Sequence, residues 1–220
     1  MSRSSWPHGL EVLGISAGDH GTDRDLVSTM DGARRGGLRV LILREPQLAE
    51  RATVTLARRL SPGLGSGLVV HGRNPWSVEL AVSGGWGLHL PSDVSPMGLR
   101  SRIRGLFGAS CHDEAELERA ASAGCDYALI SPVFSPRSKP GDRRSTLQLR
   151  GLADLASRSA LPVVALGGID SERTGPCIRA GAAAVATIGG LFPPGATPEE
   201  VEHLARDMVR AGTVARLGLS

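Results

Sequence analysis

Two glycine pairs, Gly167-Gly168 and Gly189-Gly190, each stand at the end of a short apolar run, Val163 to Leu166 and Ala183 to Thr187. A backbone without side chains at such a point lets an oxyanion approach main-chain N–H groups closely. The paired placement therefore points to a phosphate cradle drawn from Gly167, Gly168, Ile188, Gly189 and Gly190. The plainer alternative is two tight turns in a chain with 29 glycines. His71 and His89 lie at or near the ends of two other apolar runs, where a neutral imidazole in a cleft suits proton movement near pH 7. For each, the alternative is a hydrogen-bonded structural histidine; His112 reads equally as a solvated helix-start residue. One lysine, Lys139, stands among the 25 Lys and Arg of the chain. A compact ammonium does what a planar guanidinium fork cannot, so its position in the polar, Pro-punctuated loop 131–144 argues for function over chance survival.

The elements that must position these residues repeat at about 25-residue intervals, each an apolar run followed by a helical or loop stretch, which is the rhythm of a (βα)8 barrel. Strands are predicted at Leu10 to Ser16, Arg39 to Leu43, Leu68 to Val70, Trp86 to Leu90, Leu106 to Ser110, Tyr127 to Ile130, Val163 to Leu166 and Ala183 to Thr187. Between them the pattern predicts helices at Asp23 to Arg35, Pro46 to Leu60 with Pro at its start, a short one after Pro75, a basic one ending at Arg104, and one opened by Asp113 and Glu116 and ended by Gly124. Further helices fall around Leu152 to Ser157, Thr174 to Ala180 and Pro198 to Ala211. The expectation is an α/β chain forming one (βα)8 TIM barrel, a single domain over residues 1–220, with its chemistry at the C-terminal ends of the strands.

Several segments resemble the thiamine phosphate synthase and TenI family of (βα)8 barrels. Ser110 and His112 look like its Ser-x-His after strand five, and CDYALISPVFSPRSKPG, from Cys125 to Gly141, looks like its signature running from strand six into a lysine-bearing loop. VLILRE at Val40 to Glu45, PVVALGGI at Pro162 to Ile169 and AAAVATIGGLF at Ala182 to Phe192 resemble strands two, seven and eight. The resemblance implies a thiamine biosynthesis protein that joins hydroxymethylpyrimidine diphosphate to thiazole phosphate, giving thiamine phosphate and pyrophosphate. It implies that Arg44 and Lys139 act on the leaving diphosphate, that Ser110 and the loop residue Ser138 touch substrate, and that Mg²⁺ is held by carboxylates.

This chain departs from the family pattern at named positions. Ile42 stands where a glutamine is usual and Pro46 where a second lysine is usual. HGR at His71 to Arg73 replaces an Asn-Asp that supplies one metal ligand, Asp93 lies within one residue of the other, and Gly189 replaces a serine. These departures lean toward the TenI branch, which isomerises a thiazole carboxylate phosphate without a metal, yet that branch's histidine is Pro132 here. His71 or His89 would then have to serve as the base. Transferase with Asp93 as metal ligand, tautomerase with no cofactor, and non-catalytic binder of a thiazole or thiamine phosphate all stand as readings.

Composition excludes other classes. No apolar run approaches the roughly 18 to 20 residues of a membrane span, and the opening MSRSSWPHG has no signal-peptide core, so a cytoplasmic protein without membrane partners is expected. With arginines interleaved with acids, one Tyr and three Phe, a formal charge of +3 does not make a nucleic-acid surface. Cys111, Cys125 and Cys177 lack metal-type spacing and read as reduced, structural thiols. The expected partners are the two small phosphorylated substrates; assembly as a homo-oligomer is left open by the sequence.

Overall fold

Four- and five-residue runs that are mostly apolar without alternation suit strands covered on both faces, and the eight strands here are buried along nearly all their length. The computed structural model describes residues 6–7, 9–21, 25–135 and 145–219. Its strands are β1 (Val12–Ile15), β2 (Val40–Leu43), β3 (Leu68–His71), β4 (Gly87–Leu90), β5 (Phe107–Cys111), β6 (Tyr127–Ile130), β7 (Val163–Leu166) and β8 (Ala184–Thr187). They pair in parallel in chain order, and β8 returns to β1 to close the barrel. The connecting helices are α1 (Leu26–Arg35), α2 (Glu50–Leu64), α3 (Pro75–Gly84), α4 (Glu114–Ser122), α5 (Gln148–Arg158), α6 (Ser171–Arg179) and α7 (Pro198–Arg216).

The two-residue period of a strand splits the core into two layers. Outward-facing Leu41, Val70, Leu88, Phe107, Ile130 and Val185 join the helices in one cluster, while inward-facing Leu13, Ile42, Val69, Leu129, Val164 and Ala186 fill the barrel. Trp6 closes the N-terminal end, its indole N–H donating to the Leu10 carbonyl at 2.8 Å and its ring meeting Tyr127 edge-on at 5.9 Å. Tyr127 is fully buried there, and Gly108 beside it in the β5–β6 register makes the room. A Cβ at Gly108 would run into the phenol ring. With that end plugged, the C-terminal mouth is the accessible end of the barrel.

Two helix expectations are corrected. α2 starts at Glu50, not Pro46, which sits in a turn after β2. The buried Glu45 carboxylate next to it accepts from the Gly18 and His20 N–H groups at 3.3 and 3.0 Å and from the Gln47 amide at 2.9 Å, which commits these residues to a loop. Between β4 and β5 the basic helix is absent; only a 3₁₀ turn, Arg100–Arg102, forms after Pro91, Pro96 and Gly98, the last at φ +77°. Prolines that cannot donate and a left-handed glycine break the run. Conversely α7 runs to Arg216, opened by a capping box between Thr197 and Glu200.

Candidate active site

The inward register that fills the barrel with aliphatic groups below places His71, His89 and Ser110 at its upper end, on β3, β4 and β5. His89 is buried, with Nδ1 3.0 Å from the Tyr127 hydroxyl and Nε2 2.9 Å from the Ser110 hydroxyl. The arrangement decides the tautomer. A buried phenol needs an acceptor for its proton, and His89 is its hydrogen-bond partner, so Tyr127 donates to Nδ1 and the imidazole proton resides on Nε2. Nε2–H then donates to Ser110 Oγ, which leaves the serine proton to be given to another acceptor. Ser110 is only partly buried, so a ligand at the mouth can reach that hydroxyl.

His71 lies 6.1 Å from His89 between ring centroids. Burial lowers His71 to about 4, helped by the positive charges of Arg44 and Arg73 and opposed by Asp93. Burial, then His71, lowers His89 to about 3. Both rings are therefore neutral at pH 7 and act as hydrogen-bonding groups, not as cations. Arg44 follows β2, half-buried, with its N–H donating to Ser16 Oγ at 2.7 Å. Arg73 follows β3, and its two terminal nitrogens meet the two Asp93 oxygens at 3.0 and 3.3 Å. Thus the structure brings Arg44, His71, His89, Ser110 and Asp93 to one side of the mouth.

Gly167-Gly168 lies across the mouth from β3, because β3 and β7 are four strands apart in a closed ring of eight, whereas Gly189-Gly190 follows β8, two strands from β2 and three from β3. The amides of Gly168, Gly189 and Gly190 hydrogen-bond to no other described residue. The pairs are not equivalent, however. Gly167 and Gly168 have φ of +112° and +59°, and a Cβ at Gly168 would stand 2.5 Å from the Ser135 carbonyl oxygen. A Cβ at Gly190 would strike the Ile169 carbonyl, whereas one at Gly189 meets nothing within 4 Å. Packing alone thus accounts for Gly167, Gly168 and Gly190; Gly189 borders open space, as an anion site requires. Ile188 accepts from Leu191 and Phe192 at 3.1 and 2.8 Å, which turns the chain at that site.

Arg173, which sequence reasoning missed, donates to the Gly168 carbonyl at 2.5 Å and lies 4.7 Å above the Phe134 ring. It adds a fixed positive charge beside the glycine loop. Tyr127 was missed as the partner of His89, although the chain's one tyrosine at an inward position opposite Gly108 was the signal. Lys139 and Ser138 lie outside the described residues. The base of their loop is stitched to the site by Val133 N–H to the Leu166 carbonyl at 2.8 Å and Phe134 N–H to the Gly167 carbonyl at 3.1 Å.

A divalent cation finds a poor ligand set in these residues. Among the described residues no group of three His, Cys, Asp or Glu could hold a metal ion. Of the described carboxylates near the strand ends, Glu45 is engaged in its loop, Asp113 and Asp170 cap α4 and α6, and Asp93 pairs with Arg73. A metal ion taken up by Asp93 would therefore have to displace the Arg73 guanidinium.

A family model described as Thiamine monophosphate synthase matches residues 14–191. The chain belongs to that family. A putative thiamine-phosphate synthase of Geobacter sulfurreducens is 33% identical over 176 residues, 77% of this chain and 80% of the relative. The thiamine-phosphate synthase of Roseiflexus sp. (strain RS-1) is 33% identical over 176 residues, covering 77% and 73%. Among solved structures, thiamine phosphate pyrophosphorylase from Pyrococcus furiosus superposes with a TM-score of 0.78 at 20% identity over 94% of this chain and 97% of that one, a likeness that bears on the fold. This synthase-family chain has no helix, among the described residues, long and apolar enough to cross a membrane.

Proposed function

We propose that this protein is a transferase that makes thiamine phosphate, joining hydroxymethylpyrimidine diphosphate to thiazole phosphate with release of pyrophosphate. Family membership and relatives named thiamine-phosphate synthase support the reading. The observation that carries it is that two anion-attracting groups share one mouth, Arg44 and Arg73 after β2 and β3, and the Ile188–Gly190 turn after β8 with Arg173 after β7. A diphosphate and a phosphate bound at the same time need two such groups of donors.

In the reaction, the bond between the pyrimidine methylene carbon and the diphosphate oxygen breaks, and its electron pair leaves on that oxygen. The thiazole nitrogen lone pair forms the new C–N bond, so the products are thiamine phosphate and pyrophosphate. Arg44, with Lys139 from the signature loop, stabilises the charge that grows on the leaving oxygen. Ser110, its acceptor side filled by His89, gives its proton in a hydrogen bond to the pyrimidine. The Gly189 turn takes the thiazole phosphate, and Ser138 belongs to the same substrate loop as Lys139. A tautomerase would need a base poised near pH 7, and histidines lowered to about 4 and about 3 are not so poised. The three cysteines are free and buried, and burial pushes their thiols up to about 12, which suits a reducing, cytoplasmic setting.

The test incubates the purified protein with both substrates and follows thiamine phosphate, pyrophosphate and the thiazole tautomer together. Equal amounts of thiamine phosphate and pyrophosphate are expected. Conversion of the tautomer without thiamine phosphate would replace this reading with the isomerase, and binding without any turnover would leave a binder. Lys139→Ala should lower kcat more than it raises KM, because its help is greatest as the diphosphate leaves.

A further inference from the structure

We propose that Arg73, oriented by Asp93, is a diphosphate-binding residue that supplies the positive charge a divalent cation would otherwise bring, so that this chain takes its diphosphate substrate metal-free. The proposal rests on the transferase reading. Its starting point is the mismatch between the metal the family resemblance implies and the donors at the end of β3 and β4.

Position comes first. Gly72 N–H donates to the His89 carbonyl at 2.8 Å, extending the β3–β4 ladder one residue past the strand. A Cβ at Gly72 would stand 2.6 Å from a Leu88 methyl group, so this backbone is closely packed. Arg73 is the next residue, and it therefore leaves a fixed point at the mouth. Its guanidinium is aimed by the two-pronged contact with Asp93 at 3.0 and 3.3 Å. The arginine and aspartate side chains are 59% and 62% exposed, so the pair is solvated and contributes little to stability, about 0 to 1 kcal/mol. Such a pair can exchange partners. A guanidinium has five N–H donors in a rigid fork, and Asp93 leaves some of them for two oxygens of a diphosphate.

Charge and ligand chemistry agree with position. Arg44 and Arg73 both act on His71 against Asp93, so the local field at that ring is positive despite the carboxylate. Mg²⁺ demands near-octahedral oxygen ligation, and among the described residues at the ends of β3 and β4 it would meet one carboxylate, already paired with a cation. Repulsion from Arg73 and Arg44 would oppose it further. A guanidinium at the same place needs no such ligands and carries its charge permanently.

The probe is inorganic pyrophosphate, titrated by calorimetry in EDTA and again with Mg²⁺, alongside thiamine phosphate synthesis under both conditions. The wild-type protein should bind pyrophosphate in EDTA, and Mg²⁺ should not tighten binding. Arg73→Ala should weaken metal-free binding by about tenfold or more, and Arg73→Lys should recover it only in part. Asp93→Asn carries the opposite signature: metal-free binding unchanged or tighter, since a competing anion is removed, where loss of a metal ligand would weaken binding in Mg²⁺. Both side chains are exposed, and circular dichroism checks that the variants stay folded. Pyrophosphate binding that requires Mg²⁺, wild-type affinity in Arg73→Ala, or synthesis that stops in EDTA overturns the proposal while leaving the transferase reading intact. Metal-free, Arg73-dependent binding with no thiamine phosphate under either condition overturns the transferase reading and keeps the anion site.

Discussion

Tyr127 and Ser110 hold the two ring nitrogens of His89 at 3.0 and 2.9 Å, and with the buried phenol donating to Nδ1 the Ser110 proton is left for another acceptor. Tyr127→Phe removes the proton that fixes the tautomer and leaves a buried ring nitrogen without its partner. It should cost roughly 1 to 3 kcal/mol of stability and lower kcat/KM, while Ser110→Ala lowers kcat/KM further. Because both act through one serine proton, the double variant should lose less than the sum of the two; strictly additive kinetic losses would show that the groups work independently. The glycine pairs make a second contrast at this scale. Gly189→Ala enters open space and should weaken thiazole phosphate by roughly 1 to 3 kcal/mol in calorimetry with the melting temperature unchanged. Gly168→Ala meets a positive φ and the Ser135 carbonyl, so its main effect should be on stability.

Helix α7 is where an element-scale effect can be isolated. It packs beside β1, and Glu11 just before that strand is buried against Arg216 at its far end, 3.0 Å between Oε1 and Nε. Its first turn depends on Thr197, which accepts from Glu200 N–H at 3.2 Å while the Glu200 carboxylate accepts from Thr197 N–H at 2.8 Å. Thr197→Ala removes the hydroxyl half of that box, leaving the backbone N–H to Glu200 half in place, and should cost about 1 kcal/mol in urea unfolding, with kcat and KM unchanged. A loss of activity at constant stability would mean that the turn after β8 depends on this cap. Compared with the sequence pattern, the element most misread was the segment before β5. Its basic residues looked helical, but Arg100 instead reaches Asp126 at 2.7 Å, and Asp126 accepts from Phe107 N–H at 2.9 Å at the entry of β5. That contact joins residues far apart in the chain, so no local pattern contained it.

At the scale of the whole molecule, the barrel interior makes stability depend on acid. His89 titrates at about 3 and His71 at about 4 in the folded chain, below the ordinary 6.5 they regain on unfolding. Between those values the unfolded chain binds protons that the folded chain refuses. Their contribution is therefore complete above about pH 6.5 and is lost progressively as pH falls toward 4 and then 3, on the order of a few kcal/mol. Unfolding free energies measured from pH 7 down to pH 4 should show this slope, and His89→Gln should flatten it whatever it does to the absolute stability. An unchanged slope in that variant would place the acid sensitivity elsewhere.

The strand order and the single (βα)8 barrel were legible in the sequence. Continuous apolar runs as short as Tyr127 to Ile130 and Val163 to Leu166, bounded by Gly and Pro, suit a doubly covered parallel strand, and both fall on the strands found. The family was legible too, since the signature after β6 and the glycine pairs are contiguous in the chain. What only the tertiary structure decided is how those residues divide the work. Arg73 and Asp93 are twenty residues apart, and only the β3–β4 register brings their side chains together. Likewise His89, Ser110 and Tyr127 come from three strands and meet because all three face inward. Sequence fixes the period of a strand and the conformational freedom of a glycine, which are local. Which cation faces which carboxylate, and which nitrogen of a buried imidazole carries the proton, depend on distances across the barrel that arise only when the sheet closes.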